Sequence, residues 1–379
     1  MKKILTVIGA RPQFIKASAI SRAISHYYQD RLSETILHTG QHYDHNMSGV
    51  FFEELNISAP RYNLHVGSGY HGKQTGEMLI GIEEVLIEDR PDAVLVYGDT
   101  NSTLGAALAA SKLKIPVIHV EAGLRSFNKN MPEEINRIVC DHVSSYLFVP
   151  TDTALKNLIS EGFRLNGSDA VTISSPRIVN CGDVMYDNCL FYSKNNEEGR
   201  RVLGKFNIKG EYCLVTIHRE SNTDNTEDFK AIIEAILEIS IEQNILFVFP
   251  IHPRTLKKLN SLEVNFSSRV HHNRNIKLID PVSFVEMNIL QKNADLIITD
   301  SGGVQKEAYF LKKPCIVLRE ETEWVELMGN GSSVLTGANK KRIIDTFHDF
   351  SSKKDFIFPE LFGKGNAAEI ICEELIKSL

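Results

Sequence analysis

The sequence predicts an α/β protein built as two doubly wound parallel-sheet domains facing a cleft, and three observations carry that expectation. At 379 residues the chain is longer than one ordinary core organises, and roughly 150 residues per domain points to two. Short apolar runs alternate with longer amphipathic segments through both halves, which is the rhythm of repeated βα units. The residues that follow those apolar runs are rich in charge, and open α/β sheets bind ligands beyond the carboxyl ends of their strands.

In the first half the expected pairs are strand Ile4–Ile8 with helix Gln13–Tyr28, Glu34–Leu37 with Asn46–Leu55, Ala93–Tyr97 with Ser102–Leu113, and Pro116–Val120 with Glu133–Val143. In the second half the expected strands are Tyr212–Thr216, Ile245–Pro250, Ile276–Ile279, Leu296–Thr299 and Cys315–Val317, with helices around Asp228–Ile239, Ser283–Asn293 and Gly303–Leu311. Arg164–Arg177 is polar and contains Gly, Ser and Pro, as a linker would, and Lys194–Arg201 reads as a charged, exposed helical patch. These features place a Rossmann-like domain at 1–175, a second at 176–365, and a C-terminal helix at 366–379 that packs back on the first domain.

Composition narrows the function classes. A formal net charge of −6 argues against a general nucleic-acid binder while leaving room for a local basic pocket. No apolar run approaches the ~18 residues that span a bilayer. Two lysines precede an apolar stretch at the start, as in a signal peptide, but the stretch is short and runs into Ala10-Arg11-Pro12 without a cleavage site. A buried first strand and a cytoplasmic location are expected. The six cysteines form no C-x-x-C pair and read as buried free thiols rather than a disulfide framework or a zinc site.

The candidate site residues lie at the strand ends. Gly9-Ala10-Arg11-Pro12-Gln13-Phe14-Ile15-Lys16 sets a guanidinium, a helix N-terminus and an ammonium together, as an anion site or simply a positive loop. No G-x-G-x-x-G follows this strand, which weighs against a bound NAD. Asp99, in Gly98-Asp99-Thr100, is either an acid at a ligand or a helix cap. Glu121 ends an apolar strand before a loop of small residues, where a structural explanation is harder to find. In Pro132-Glu133-Glu134, first-turn acids complement the helix dipole, and neighbours about 100° apart cannot both face a ligand. Clustered carboxylates at these ends would raise some of their pKa values, as acid/base chemistry near neutrality requires.

In the second half, His218 in Thr216-Ile217-His218-Arg219-Glu220 suits a phosphate leaving group or a structural strand end, and His252 follows the next strand. Asp300-Ser301-Gly302-Gly303-Val304-Gln305-Lys306-Glu307 leads a strand into a helix with unobstructed backbone N–H groups. It reads as a diphosphate turn, with Glu307 placed for ribose hydroxyls, or as a tight turn alone.

Together Gly9–Lys16, Tyr97–Thr100, His119–Arg125, Pro132–Arg137, His218–Glu220 and Asp300–Glu307 resemble, in order over nearly the whole chain, the non-hydrolysing UDP-N-acetylglucosamine 2-epimerases. The resemblance implies a glycosyltransferase-B-like fold, a homodimer, no metal and no other cofactor. It also implies a UDP-sugar substrate epimerised at C2 by elimination of UDP to a 2-acetamidoglucal and re-addition. The family's essential carboxylates fall on Asp99, Glu121 and Glu133, and its essential histidine on His218. Its basic nucleotide pair falls on Arg11 and Lys16, and Ser301, Gly302 and Glu307 match its phosphate and ribose contacts. Arg137, Arg219, His252, Gly303 and Arg319 complete the expected binding set.

Some residues depart from the family pattern. Gly-Thr-Arg-Pro-Glu is here Gly9-Ala10-Arg11-Pro12-Gln13, and Thr-Glu-Arg-Pro-Glu is here Thr322-Glu323-Trp324-Val325-Glu326, an indole in place of a cation. The spacing around Thr39–Met47 is longer than in members activated by a second UDP-sugar. These variants resemble the branch that epimerises UDP-2,3-diacetamido-2,3-dideoxyglucuronate for surface polysaccharide, whose carboxylate would want a cation from among Arg125, Arg137, Arg219 and Arg319. The competing readings are a UDP-sugar glycosyltransferase, a hydrolysing epimerase that releases N-acetylmannosamine, and a UDP-sugar-binding sensor.

Overall fold

The structure, a computed structural model, describes residues 1–41, 52, 54, 55, 57–165, 170–322, 324–353 and 355–379. Most of the expected helix 46–55 and of the Thr39–Met47 segment lies outside the described residues, as do part of the 164–177 stretch and Glu323.

Two compact units emerge, Met1–Asn188 with Glu360–Leu379, and Cys189–Pro359. In the first, strands β1 (Lys2–Ile8), β2 (Leu32–His38), β3 (Tyr62–Asn63), β4 (Ala93–Tyr97), β5 (Val117–Val120), β6 (Tyr146–Val149) and β7 (Arg177–Asn180) form a parallel sheet in the order β3-β2-β1-β4-β5-β6-β7. β1 is flanked by β2 and β4, with Ile4 opposite both Glu34 and Ala93, so the order reverses between β1 and β4. That reversal is a topological switch point, where the loops leaving the two strands diverge and open a crevice. Helices α1 (Arg11–Ala23), α2 (His71–Asp89), α3 (Asn101–Lys112), α4 (Pro132–Val143) and α5 (Asp152–Ser160) follow the strands.

The central strands are apolar on both faces because both are covered. Leu5, Val7, Val94 and Val96 meet Met78, Ile82 and Leu86 of α2 and the alanines 106, 107, 109 and 110 of α3, all buried. Small side chains on α3 let it lie close against the sheet. Helix α2 is not among the expected elements, although Gln74, Met78, Ile82 and Val85/Leu86 are buried at helical spacing. Three internal glycines, 72, 76 and 81, weaken its local helix signal, and tertiary burial overrides them.

The second unit repeats the plan. Strands β8 (Tyr212–Thr216), β9 (Leu246–Pro250), β10 (Ile276–Ile279), β11 (Leu296–Thr299), β12 (Cys315–Val317) and β13 (Ser333–Leu335) are parallel in the order β10-β9-β8-β11-β12-β13, with the reversal between β8 and β11. Phe229, Ile232, Ile233 and Ile236 of α6 (Thr226–Glu242) pack with Phe347 and Phe350 of α8 (Lys340–Ser352) over one face of this sheet. Helix α7 (Gly302–Phe310) follows β11.

The expected boundary at 175 falls too early. Arg177 begins β7, which pairs with β6 and completes the first sheet, so the polar 164–177 stretch is an excursion within the first unit. The chain leaves that unit within the helix Val184–Ser193. The first unit also takes residues 360–379, where α9 (Ala367–Ser378) lies along α1 and buries Ile371, Cys372 and Leu375. Asp187 accepts from Ala367 N and Ala368 N at 3.0 and 2.7 Å, capping α9. All six cysteines are buried and free. No helix among the described residues is long and apolar enough to cross a membrane.

Candidate active site

Three β-to-α turns build the site in the first unit, and the first is fixed by steric need. A Cβ on Gly9 would lie 2.1 Å from Thr39 Oγ1 and 2.2 Å from Ser102 Oγ, so only glycine fits between β1 and α1. Gln13 then ties this turn to its neighbour. Its Oε1 accepts from Gly9 N and Ala10 N at 2.9 and 3.0 Å, and its Nε2 donates to Tyr97 O and Thr103 Oγ1 at 3.0 Å each. An amide serves here where a carboxylate could not, because two of the partners are acceptors. Arg11 opens α1 with its side chain exposed, and Lys16, one turn on, is turned inward.

Lys16 pairs with Glu121 at the end of β5, and Arg137 of α4 pairs with Asp99 at the end of β4. Glu121 occupies the left-handed region at φ 73°, which non-glycine residues seldom adopt, while its N–H is bonded to Phe148 O at 3.1 Å. Gly98 is also left-handed, at φ 63°. A Cβ there would stand 3.2 Å from both Glu121 Oε2 and Lys16 Nζ, so the turn that carries Asp99 runs directly against the Lys16–Glu121 pair. Burial, with the nearby charges of Glu121 and Glu133, raises the Asp99 pKa against the opposing pull of Lys16 and Arg137.

Helix α4 separates the two glutamates. Glu134 is buried, accepting from Ser126 N, Phe127 N and Ser126 Oγ at 2.9, 2.9 and 3.0 Å and from Arg137 Nη2 at 2.8 Å. Burial works against its charge, but these donors outweigh it and hold the pKa low. Glu134 is thus the clamp of the 124–131 loop, and Glu133 is the exposed member of the pair. From the same helix Asn136 Nδ2 donates to Asp99 O at 2.8 Å. Arg125 is withdrawn from the candidate cations, since its side chain is 1% exposed and bound to Asp141 and Glu161, each at 2.7 Å.

In the second unit the switch point is organised by a buried carboxylate, Asp300. It accepts from His218 N and Arg219 N, both at 3.0 Å, and from Asn222 Nδ2 at 3.1 Å, with His218 Nδ1 at 3.3 Å. His218 is thereby oriented on its ring nitrogen while remaining about half exposed. Ser301 caps α7, its Oγ accepting from Val304 N, so the N–H groups of Gly302 and Gly303 stand at an N-terminus without side chains over them. Glu307, one turn in, is buried and accepts from Gln291 Nε2 at 2.7 Å. His252 caps the helix Pro253–Ser261, its Nδ1 accepting from Arg254 N at 3.2 Å. Arg319 follows β12, and Trp324 is buried with Lys306 Nζ 4.2 Å from its ring centroid. The indole that replaces the family's cation therefore lies against a cation.

Sequence reasoning singled out Asp99, Glu121, Lys16 and Arg137, and the structure brings them together with Glu133 near Asp99. It did not find Asn136, Asp141, Asn222 or Gln291. The signal for Asp141 was the spacing of polar residues along α4: 134, 137 and 141 fall on one helical face.

Comparison with known proteins agrees with this geometry. The sequence profile of the UDP-N-acetylglucosamine 2-epimerases matches residues 26–376. The chain is 48% identical over 375 residues to a UDP-N-acetylglucosamine 2-epimerase homolog of Methanococcus maripaludis, covering 98% of this chain and 99% of the relative. It is 47% identical over 375 residues to the UDP-2,3-diacetamido-2,3-dideoxy-D-glucuronate 2-epimerase of Pseudomonas aeruginosa, covering 99% of each. The crystal structure of Methanocaldococcus jannaschii UDP-GlcNAc 2-epimerase in complex with UDP-GlcNAc and UDP superimposes with a TM-score of 0.81 at 46% identity, covering 99% of each chain. With its two doubly wound sheets and its full-length match, this chain belongs to the UDP-N-acetylglucosamine 2-epimerase family.

Proposed function

We propose that this chain inverts C2 of a UDP-linked 2-acetamido sugar without releasing the free sugar, and that Asp99 and Glu121 handle the two faces of that carbon. The observation that carries the reading is the pairing at the ends of adjacent strands: Asp99 against Arg137 and Glu121 against Lys16. One carboxylate takes the C2 proton as the C1–O bond breaks. The electron pair of the C2–H bond becomes the C1=C2 bond, and UDP leaves with the pair from C1–O. In the return step UDP attacks C1 while a proton reaches C2 from the opposite face. A carboxyl whose pKa is raised, as at Asp99, is a better proton acceptor than an ordinary carboxylate and can return the proton it takes.

His218 and Arg219 in the second unit act on the departing phosphate. Gly302 and Gly303 with the Ser301 cap bind the diphosphate, and Glu307 binds the ribose. Arg11 and Lys16 bind an anionic part of the substrate at the start of α1, with His252, Arg319 and Glu133 in supporting roles. Two of the four arginines considered for a sugar carboxylate are committed elsewhere: Arg125 is buried in ion pairs and Arg137 is shared by Asp99 and Glu134. The substrate class is UDP-N-acetylglucosamine or its 2,3-diacetamido-glucuronate analogue, consumed for surface polysaccharide.

The buried free thiols fit a reducing cytoplasm. Ile80 and Ile87 on α2 and Ile135 on α4, all about half exposed, are apolar side chains of the kind a homodimer contact would cover.

The test is proton NMR of the two UDP-sugars, each incubated with pure protein in deuterated water. Deuterium at C2 together with a manno product still joined to UDP is expected, and the tube that reacts names the substrate. Free N-acetylmannosamine would establish the hydrolysing reaction instead. Binding without exchange in either tube would overturn the carboxylate chemistry.

A further inference from the structure

Behind the two carboxylate-bearing turns lies a buried charged chain that none of these roles uses. His119 stands on β5, two residues before Glu121, and is completely buried. Its Nε2 is 2.8 Å from Gly98 O and its Nδ1 is 2.7 Å from Asp141 Oδ1. A carbonyl oxygen can only accept, so Nε2 carries a proton. Asp141 Oδ2 lies 2.7 Å from Arg125 Nη1 and accepts from Gly123 N at 3.1 Å, so Asp141 is surrounded by donors and stays ionised. Nδ1 therefore donates as well, and the ring is an imidazolium. The chain grips the residue before Asp99 at one end and the turn two residues beyond Glu121 at the other.

The turn at Glu121 is a conformation that its surroundings must enforce, whereas glycine enters the same region freely at Gly98. Gly98 and Glu121 are left-handed, and a left-handed glutamate persists only where neighbouring structure leaves it no alternative. The His119–Asp141 pair is a side-chain link that reaches both turns from within the sheet and α4.

We propose that His119 is a positioning residue for the epimerisation: its bond from β5 to Gly98 O fixes the spacing between the turn of Asp99 and the turn of Glu121, and Asp141 orients the ring that makes it. The inference rests on the reading of Asp99 and Glu121 as the two proton-handling groups. Two faces of one carbon must be reached by two groups at a set separation, and a misplacement of about 1 Å can cost about 10²-fold in rate.

Two variants divide the two bonds of the ring. The side-chain nitrogen of Asn falls near the place of Nδ1 and serves Asp141 alone, while that of Gln falls near the place of Nε2 and serves Gly98 O. With whichever UDP-sugar the wild type converts, His119→Asn is expected to lower kcat by about 10-fold or more with KM within about 2-fold. His119→Gln is expected to stay within about 3-fold of wild-type kcat. Melting curves of both variants show the folded fraction. If the two variants keep equal kcat per folded molecule, His119 only stabilises the core and the proposal fails.

Should neither variant fold, the wild type decides through histidine ring 15N labelling. A ring that carries both N–H protons at neutral pH, and whose signals move in Asp99→Asn, is expected. A ring with one proton at neutral pH, or one that ignores Asp99→Asn, overturns the role. An inactive wild type would defeat the proposed function itself, whereas an active wild type with indifferent variants defeats the role of His119 alone.

Discussion

Asp99 and Glu121 follow strands β4 and β5 in sequence, and that placement marks Glu121 because a carboxylate ending an apolar strand has few structural uses, whereas Asp99 before a helix reads equally as a cap. Their cations were only partly visible. Lys16 and Arg137 lie 105 and 38 residues from their partners, and no local pattern announces such a pair. Replacing Asp99 by Asn or Glu121 by Gln keeps shape and removes proton transfer. Each is expected to cut epimerisation by about 10²-fold or more while UDP affinity stays near wild type, read by the C2 exchange assay and by nucleotide titration. Near-normal turnover in both would remove the carboxylates from the mechanism. Glu121 also carries backbone strain. Alanine and glycine there lose the Lys16 contact equally, but only glycine relaxes φ 73°. Glu121→Gly should therefore be about 1 kcal/mol more stable than Glu121→Ala in denaturant titrations, with both inactive. Equal stabilities would mean that the left-handed conformation costs this protein nothing.

At the scale of elements, nine strands were legible through continuous apolar runs while β3, β6, β7 and β13 were not among those expected, and α4 was legible through Pro132 and its acidic first turn. Which glutamate of α4 turns inward was not, because the helical period says that 133 and 134 diverge but not which one finds the Ser126–Phe127 amides. Helix α9 shows a second kind of invisibility. Its apolar spacing was readable, but its cap, Asp187, lies 180 residues away. Burial lifts the Asp187 pKa to about 6 despite the two amides it accepts from. The folded state then holds a proton that the unfolded state releases at lower pH. The stability linked to that proton is complete below the unfolded value near 3.8, falls as pH rises, and is gone above about 6. Asp187→Asn has no such dependence. Its melting temperature relative to wild type should rise between pH 4 and 6 and level off above that, and a difference independent of pH would refute the assignment.

At the scale of the molecule, the same strand plan occurs twice, each time with the order reversing where the charged turns emerge, β1 against β4 and β8 against β11. Length and the βα rhythm gave the two units, whereas the boundary was misplaced by about a dozen residues because a polar, Ser- and Pro-containing stretch reads as a linker even when the next strand pairs back. Nucleotide roles are proposed for Arg11 and Lys16 in the first unit and for Ser301, Gly302 and Glu307 in the second, and each unit can be read separately. A ligand that binds only the folded state stabilises it by about 2.7 kcal/mol at 100 times its Kd. If both units contribute contacts, UDP alone should slow amide hydrogen exchange at 301–304 and also at the start of α1, and Arg11→Ala should reduce the second effect together with affinity. Protection confined to 301–304, with affinity unchanged in Arg11→Ala, would mean that the second unit reads the nucleotide alone and that the strand-one cations serve the sugar or the carboxylates instead.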